Sequence, residues 1–339
     1  MDIFTNSIAS PAVWGITIAI AVAVFAVDLL VIARRPHEPT MAEVSRHLAF
    51  FIGLALVFGV CIWFFAEPHG LSQHPGPEFF AGWLTEYSLS IDNLFIFIII
   101  MSKFAVPRQY QQTALMIGII MALVMRAIFI VLGAAAINQF SWVFYIFGLF
   151  LVFTAVKLAK EGGEDDEEYT EPALTRFARR HFPVAQDWNG VHLTVREGGK
   201  RLLTPMFLVI LTLGMTDLLF ALDSIPAIYG LTQDPYLVFT ANIFALMGLR
   251  QLYFLIGGLL QKLVYLSYGL SFLLLFIGVK LVMHAMSHNE LGFINGGEHI
   301  EWVPDIPIWV SLGVIIGTLV VTAVLSLAKT RSDERKQRA

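Results

Sequence analysis

Two acidic stretches, Thr85-Glu86-Tyr87-Ser88-Leu89-Ser90-Ile91-Asp92 and Thr216-Asp217-Leu218-Leu219-Phe220-Ala221-Leu222-Asp223, place carboxylates six residues apart inside runs apolar enough to cross a bilayer. A charge at mid-membrane costs about 2.5–3.5 kcal/mol even on lenient insertion scales, so acids held there are expected to serve something cationic. On a regular helix, residues six apart are separated by about 9 Å along the axis and about 120° around it. Glu86 and Asp92 therefore cannot grip one ion from an unbroken helix. Either the helix opens, or each acid belongs to a different station on a path, or Asp92 meets Asp223 from the second stretch. Pro226 has no amide hydrogen, which frees the Leu222 carbonyl beside Asp223. With Ser224 following Asp223 and Asn93 following Asp92, the result is a hard-oxygen ligand set suited to Mn, Mg or Ca. The expectation is a central Asp92 and Asp223, with Glu86 and Asp217 as flanking ligands or proton acceptors. Two carboxylates in a low-dielectric pocket resist simultaneous ionisation, so releasing a divalent cation favours uptake of a proton.

A competing arrangement uses the same residues without a transported ion. Arg126, Lys157, Arg250 and Lys280 also fall within apolar runs, and ion pairs between helices could satisfy all four acids. Lys157 lies near a helix end and can snorkel, whereas Arg126 and Arg250 have no such escape. A mixed picture is expected, in which Arg126, Arg250 and Lys280 compensate the carboxylates and yield to an arriving ion. Asp28 is expected to pair locally with Arg34. His69 and His74, and His284, His288 and His299, could guide a released metal, although loop histidines usually carry no specific role.

The elements that must position these groups follow from composition. Hydrophobic residues make up 57% and charged residues 14%, and the mean hydropathy is +0.72, far from the near-quarter charged content of soluble domains. The fold class is all-α and polytopic. Runs long enough to cross a ~30 Å hydrocarbon core recur at 12–33, 48–66, 79–101, 113–136, 142–159, 203–229, 239–260, 264–286 and 307–328, giving nine expected helices. The first is expected to be retained, since no Lys or Arg precedes it and no small-residue cleavage site follows a short apolar core.

Net charge is −4, but its distribution says more than its size. If the loop with Arg34, Arg35 and Arg46 is cytoplasmic, so are the connection bearing Arg176, Arg179, Arg180, Arg196, Lys200 and Arg201 and the basic C-terminal tail, while the opposite loops carry no Lys or Arg. The N-terminus is thus expected outside and the C-terminus in the cytoplasm. Cys61 is the only cysteine, which excludes an intrachain disulfide within these residues and any multi-thiolate site.

Each half continues from its acids to one Arg and then one Lys, and Phe150-Leu151-Val152-Phe153-Thr154-Ala155-Val156-Lys157-Leu158 matches Phe272 to Leu281 with one insertion. A three-helix duplication is expected, helices three to five against six to eight, inverted relative to each other with a midplane site between them. The divisions are 1–77, a helix pair; 78–160, the first repeat; 161–201, a cytoplasmic loop; 202–287, the second repeat; and 288–339, an outer loop, the last helix and the tail. The acidic run 161–168 reads as solvated, and 191–200 as a small hairpin about Glu197-Gly198-Gly199.

The stretches 86–95 and 216–228, extended by Gln233-Asp234-Pro235 and by Ala241-Asn242 through Arg250, resemble the paired signatures of the TerC family, and within it the Alx type with two helices before the first acidic motif. The resemblance implies a bacterial cytoplasmic-membrane protein of the LysE-like transporter superfamily, with inverted three-helix repeats and a role in Mn(II) export. By motif position it implies Glu86, Asp92, Asp217 and Asp223 as the acidic residues, with Asn93 and Ser224 as neighbouring ligands. The choice of manganese comes from the resemblance, because oxygen ligands do not separate it from magnesium or calcium. The alternative is a membrane scaffold or insertion factor that partners with tellurium-resistance or other membrane proteins. No P-loop, haem attachment or Ser-His-Asp pattern is present, so neither an enzyme nor a resident cofactor is expected, and nothing is directed at nucleic acid. The expected partners are a divalent metal ion and the lipid bilayer, with a homo-oligomer left open.

Overall fold

The computed structural model describes residues 7–34, 40–68, 72–140, 142–161, 172–185, 187–188, 190–197, 200–256, 265–289, 291, 294–300 and 302–338, the side chains of 29–34, 92, 95, 138, 161, 173, 197, 200, 256 and 332–338 excepted. The helices are α1 (Pro11–Arg34), α2 (Met41–Phe65), α3 (Pro75–Lys103), α4 (Arg108–Gln139), α5 (Val143–Glu161), α6 (Ala173–His181), α7 (Pro205–Tyr229), α8 (Pro235–Met247), α9 (Leu249–Ile256), α10 (Leu266–Ser287) and α11 (Ile308–Arg338). Nine spans among the described residues are long and apolar enough to cross a membrane, with α8 and α9 forming one of them. The protein is an all-α polytopic membrane protein.

Local chemistry sets where the helices begin. Thr40 caps α2 by accepting from the Glu43 amide, Thr204 caps α7 by accepting from Phe207, and Asp234 caps α8 by accepting from Tyr236 and Leu237. Pro205 and Pro235 follow two of these caps at the first helical position, where a missing amide hydrogen costs nothing. The seventh span breaks at Gly248, which separates α8 from α9.

The helix ends gather at two faces. At the near face, Ser7 and Ile8 donate to the Asp234 carboxylate, Thr232 of the α7–α8 connection donates to Glu78 at the start of α3, and Lys280 near the end of α10 donates to Ser311 at the start of α11. At the far face, α6 packs on α7 and reaches the end of α3, and the antiparallel pair β1 (Thr194–Glu197) and β2 (Lys200–Leu203) leads directly into α7. Arg179 stands over the Phe104 ring, Trp188 stacks on Tyr110, and Thr212 of α7 donates to Thr175 of α6. The strand pair matches the expected hairpin, with Gly198 and Gly199 outside the described residues. The short helix α6 was not anticipated, and the acidic run at 162–168 also lies outside the description.

The largest interhelical contacts join α5 with α10, α4 with α7, and α3 with α8. Exchanging α3 for α7, α4 for α8 and α5 for α10 maps this set onto itself. At the α5–α10 crossing, Gly148 and Gly278 face each other so closely that a Cβ on either would lie 2.8 or 2.9 Å from the other's carbonyl oxygen. Small residues permit such backbone approach between helices in a membrane.

Among the described residues two large apolar cores result, beside a smaller cluster of Ala55, Phe79, Trp83, Leu237, Ala241 and Ala245. One joins Leu94, Phe97, Leu115, Ile119, Met206, Leu213 and Leu246 in the far halves of the helices. The other joins Ala81, Ile130, Ala134, Leu151, Ile225, Val238 and Leu273 in the near halves. On α3, α4, α7 and α8, the level between the two cores is where the polar residues sit.

Candidate metal-cation site in the membrane interior

Arg126 is fully buried on α4 between these cores. Its guanidinium pairs with Glu86 of α3, lies 3.4 Å through Nε and 3.4 Å through Nη2 from the two Asp217 carboxylate oxygens on α7, and donates through Nη1 to Asn242 Oδ1 of α8 at 2.9 Å. Asn242 is held in turn, donating to the Val238 carbonyl one turn back. One side chain thus ties four helices, and one acid from each half of the chain meets on it. Glu86 is fully buried and Asp217 nearly so, hence neither carboxylate is screened by solvent, and a buried charge there requires a partner.

Depth follows from helix rise. Glu86 is eleven residues into α3 from the near face and Asp217 twelve residues before the near-face end of α7, which places both at about 16–18 Å by 1.5 Å per residue. Both helices are continuous through their motifs and run in opposite directions. The six-residue spacing therefore carries Asp92 about 9 Å toward the far face and Asp223 about 9 Å toward the near face. The expected meeting of Asp92 with Asp223 does not occur: their backbone positions lie about 18 Å apart in depth. The central pair is Glu86 and Asp217, and the other two acids are the outlying ones. The Asp92 side chain itself lies outside the described residues.

Asp223 is partly exposed and accepts from Thr154 of α5 at 3.1 Å, with Lys157 close enough to act on it electrostatically. Arg250, expected to balance the central acids, instead donates to Asp28 of α1 at 2.8 Å. Asp28 thus has a partner on α9; the Arg34 side chain, its expected local partner, lies outside the described residues. Lys280, also expected at the centre, donates to Ser311 at 3.2 Å and feels Glu78 and Asp305 near the near face. By residue count from the helix ends, Lys280 stands at the depth of Asp223 and Arg250 close to that of Asp92. Each acidic level has a base of its own.

The two acidic motifs also carry buried, unpartnered oxygens. Thr85 Oγ1, Glu86 Oε2, the Tyr87 hydroxyl, Ser90 Oγ and Ser224 Oγ are buried and find no hydrogen-bond partner among the described residues. Buried polar atoms are ordinarily paired, so a concentration in one motif is informative. Asn93 is buried one residue beyond Asp92. The oxygens fit a hard or borderline divalent cation by donor type. Sequence reasoning did not single out Asn242 as an Arg126 partner, although it fell within the quoted motif, and it missed Glu78 as a receiver for Thr232. His69 lies outside the described residues.

A polytopic helical membrane protein with paired buried carboxylates in its interior is the class defined by fold and site. The chain belongs to the integral membrane protein TerC family, which it matches over residues 71–334. It is 44% identical over 336 residues to the uncharacterized membrane protein Rv2723 of Mycobacterium tuberculosis, covering 98% of this chain and 83% of that one. It is 40% identical over 325 residues to the uncharacterized membrane protein STKORF319 of Myxococcus xanthus, covering 96% and 95%. It is 35% identical over 325 residues to the putative membrane-bound redox modulator Alx of Escherichia coli K12, covering 95% and 96%. No solved structure matches the chain.

Proposed function

We propose that this protein carries a divalent metal cation, Mn(II) foremost, out of the bacterial cytoplasm across the inner membrane. The observation that carries the reading is the convergence of Glu86 and Asp217, one from each half of the chain, on the buried Arg126. A guanidinium donating to two carboxylates occupies the oxygens that a doubly charged ion would need. An entering cation competes for them, and Arg126 is a countercharge that can yield by turning toward Asn242. Asp92, the Glu86–Asp217 pair and Asp223 form three stations about 9 Å apart along the path. Handing the ion on leaves two carboxylates sharing little positive charge, which favours proton uptake and gives exchange of metal against protons.

The self-consistent contact pattern of α3–α5 and α7–α10 supports inverted repeats, with the site at their interface as in many secondary transporters. The basic residues of α6 and the strand pair favour, under the positive-inside rule, a cytoplasmic far face and an N-terminus outside. The choice of manganese rests on the TerC resemblance. The printed name of the Escherichia coli relative describes a redox modulator. Cys61 is the single thiol, so these 339 residues hold no dithiol couple of their own.

The test is Mn(II) movement in everted membrane vesicles from cells with and without the protein. Glu86→Gln and Asp217→Asn should each abolish protein-dependent uptake, while deletion of 162–168 should leave it intact. The reverse pattern would favour the scaffold reading.

A further inference from the structure

A second set of metal-ligating groups lies at the near face, away from Arg126. His284 in the last turn of α10, His288 at its C-cap and Asp305 in the segment leading to α11 each offer a ligand atom within 4.8 Å of the other two. Donors sharing one ion at about 2.1 Å stand about 3.0–3.4 Å apart, so side-chain rotation closes the set without moving a helix. The two histidines are four residues apart on one helical face, the spacing that lets neighbouring turns chelate one ion, and their rings lie 4.5 Å apart.

The surroundings are arranged around these rings. His284 Nδ1 is 3.4 Å from Asp305 Oδ1, and its Nε2 is 3.0 Å from the Gln233 amide of the α7–α8 connection. That amide can present either a donor or an acceptor to the ring, so it suits either tautomer and fixes the ring's direction. Phe144 packs edge-on against the other side of His284. Ser287 Oγ is 3.0 Å from His288 Nδ1, and His299 reaches the Ser287 carbonyl at 2.8 Å. The carbonyl end of α10 adds partial negative charge where a cation would sit. Lys280, four residues and about one turn below His284, is the nearby base, and it is occupied with Ser311. The His284 side chain is 26% exposed and that of Asp305 62%, so the group is open to ions from solution.

We infer that His284, His288 and Asp305 form a divalent transition-metal site of the two-imidazole, one-carboxylate type, taking a borderline ion such as Zn(II), Co(II), Ni(II) or Mn(II). Its nitrogen donors distinguish it from the all-oxygen interior. When filled it ties the α10–α11 connection to the end of α10. The site stands whether or not a cation crosses the membrane.

The experiment is Co(II) titration of the purified protein in detergent, read by visible absorption and by equilibrium dialysis. One nitrogen-ligated Co(II) per chain is expected. His288→Ala and Asp305→Ala should each weaken it by at least about 10-fold, the loss that supporting groups alone produce. His192→Ala, on the far face, should leave it unchanged, and the nitrogen-ligated spectrum is distinct from that of oxygen-bound Co(II), so failure of the interior reading leaves this result readable. His288 and Asp305 are exposed, and melting curves for both variants should match the parent. Unaltered affinity and spectrum in the His288→Ala, Asp305→Ala double variant would overturn the assignment.

Discussion

Replacing Arg126 by Met removes the positive charge shared by Glu86 and Asp217. The guanidinium and the Glu86 side chain are fully buried, and Asp217 is 2% exposed, so water cannot take over the lost interaction. Deleting one partner of a buried ion pair costs about 3–5 kcal/mol, because the remaining charge is left desolvated. Protonation of one carboxylate limits the loss, and Asn242 Oδ1 also loses its donor. At about 1.4 kcal/mol per tenfold change, the unfolding equilibrium should shift by at least about 100-fold. Exchanging the whole set for neutral groups of similar shape is expected to be near neutral, as it is for other buried ion clusters. The triple variant Arg126→Met, Glu86→Gln, Asp217→Asn should therefore recover most of the lost stability, and Arg126→Lys should fall between, keeping the charge without the fork. Detergent-solubilised protein unfolded by SDS titration, followed by tryptophan fluorescence, measures all four. An Arg126→Met curve superimposable on the parent, or a triple variant no more stable than the single, would refute the pairing.

Other consequences are separable. Gly278→Leu should force α5 and α10 apart, since even a Cβ there lies 2.9 Å from the Gly148 oxygen and 3.0 Å from Leu151, whereas Gly313→Ala meets nothing within 4 Å; thermal melts should show a large loss for the first and little change for the second. Asp234→Ala removes the α8 cap, worth about 0.5–2 kcal/mol, and the acceptor for Ser7 and Ile8, so hydrogen exchange should rise at residues 7–9 before it rises elsewhere. Thr154→Val deletes one hydrogen bond to Asp223, worth about 1 kcal/mol, and should alter cation transport more than it alters the melting curve.

How much of this was written in the sequence depends on the range of the interaction. The spans were legible because apolar runs of membrane length are local. The division of the seventh span at Gly248 was not, since an isolated glycine in an apolar run is tolerated in a helix as often as it ends one. The acids and bases were legible as types, because each is costly in a bilayer, but their pairing was not. Arg126 lies 91 residues from Asp217, and Arg250 lies 222 from Asp28, separations over which only helix packing decides. Proximity along the chain points Asp28 at Arg34, and only packing against α9 reveals Arg250 as a partner. The roles of the inner and outer acids exchanged for a related reason. Once α3 and α7 are antiparallel and unbroken, an equal spacing of six carries Asp92 and Asp223 in opposite directions, leaving Glu86 and Asp217 face to face.

The most direct measurement of the central claim is uptake of radioactive Mn(II) into proteoliposomes containing the purified protein, compared with Glu86→Gln and Asp217→Asn. Uptake that depends on the protein, saturates with Mn(II) and vanishes in both variants is the predicted result. Uptake in the variants equal to that of the parent, or none above empty liposomes for correctly folded parent protein under either direction of pH gradient, would contradict it.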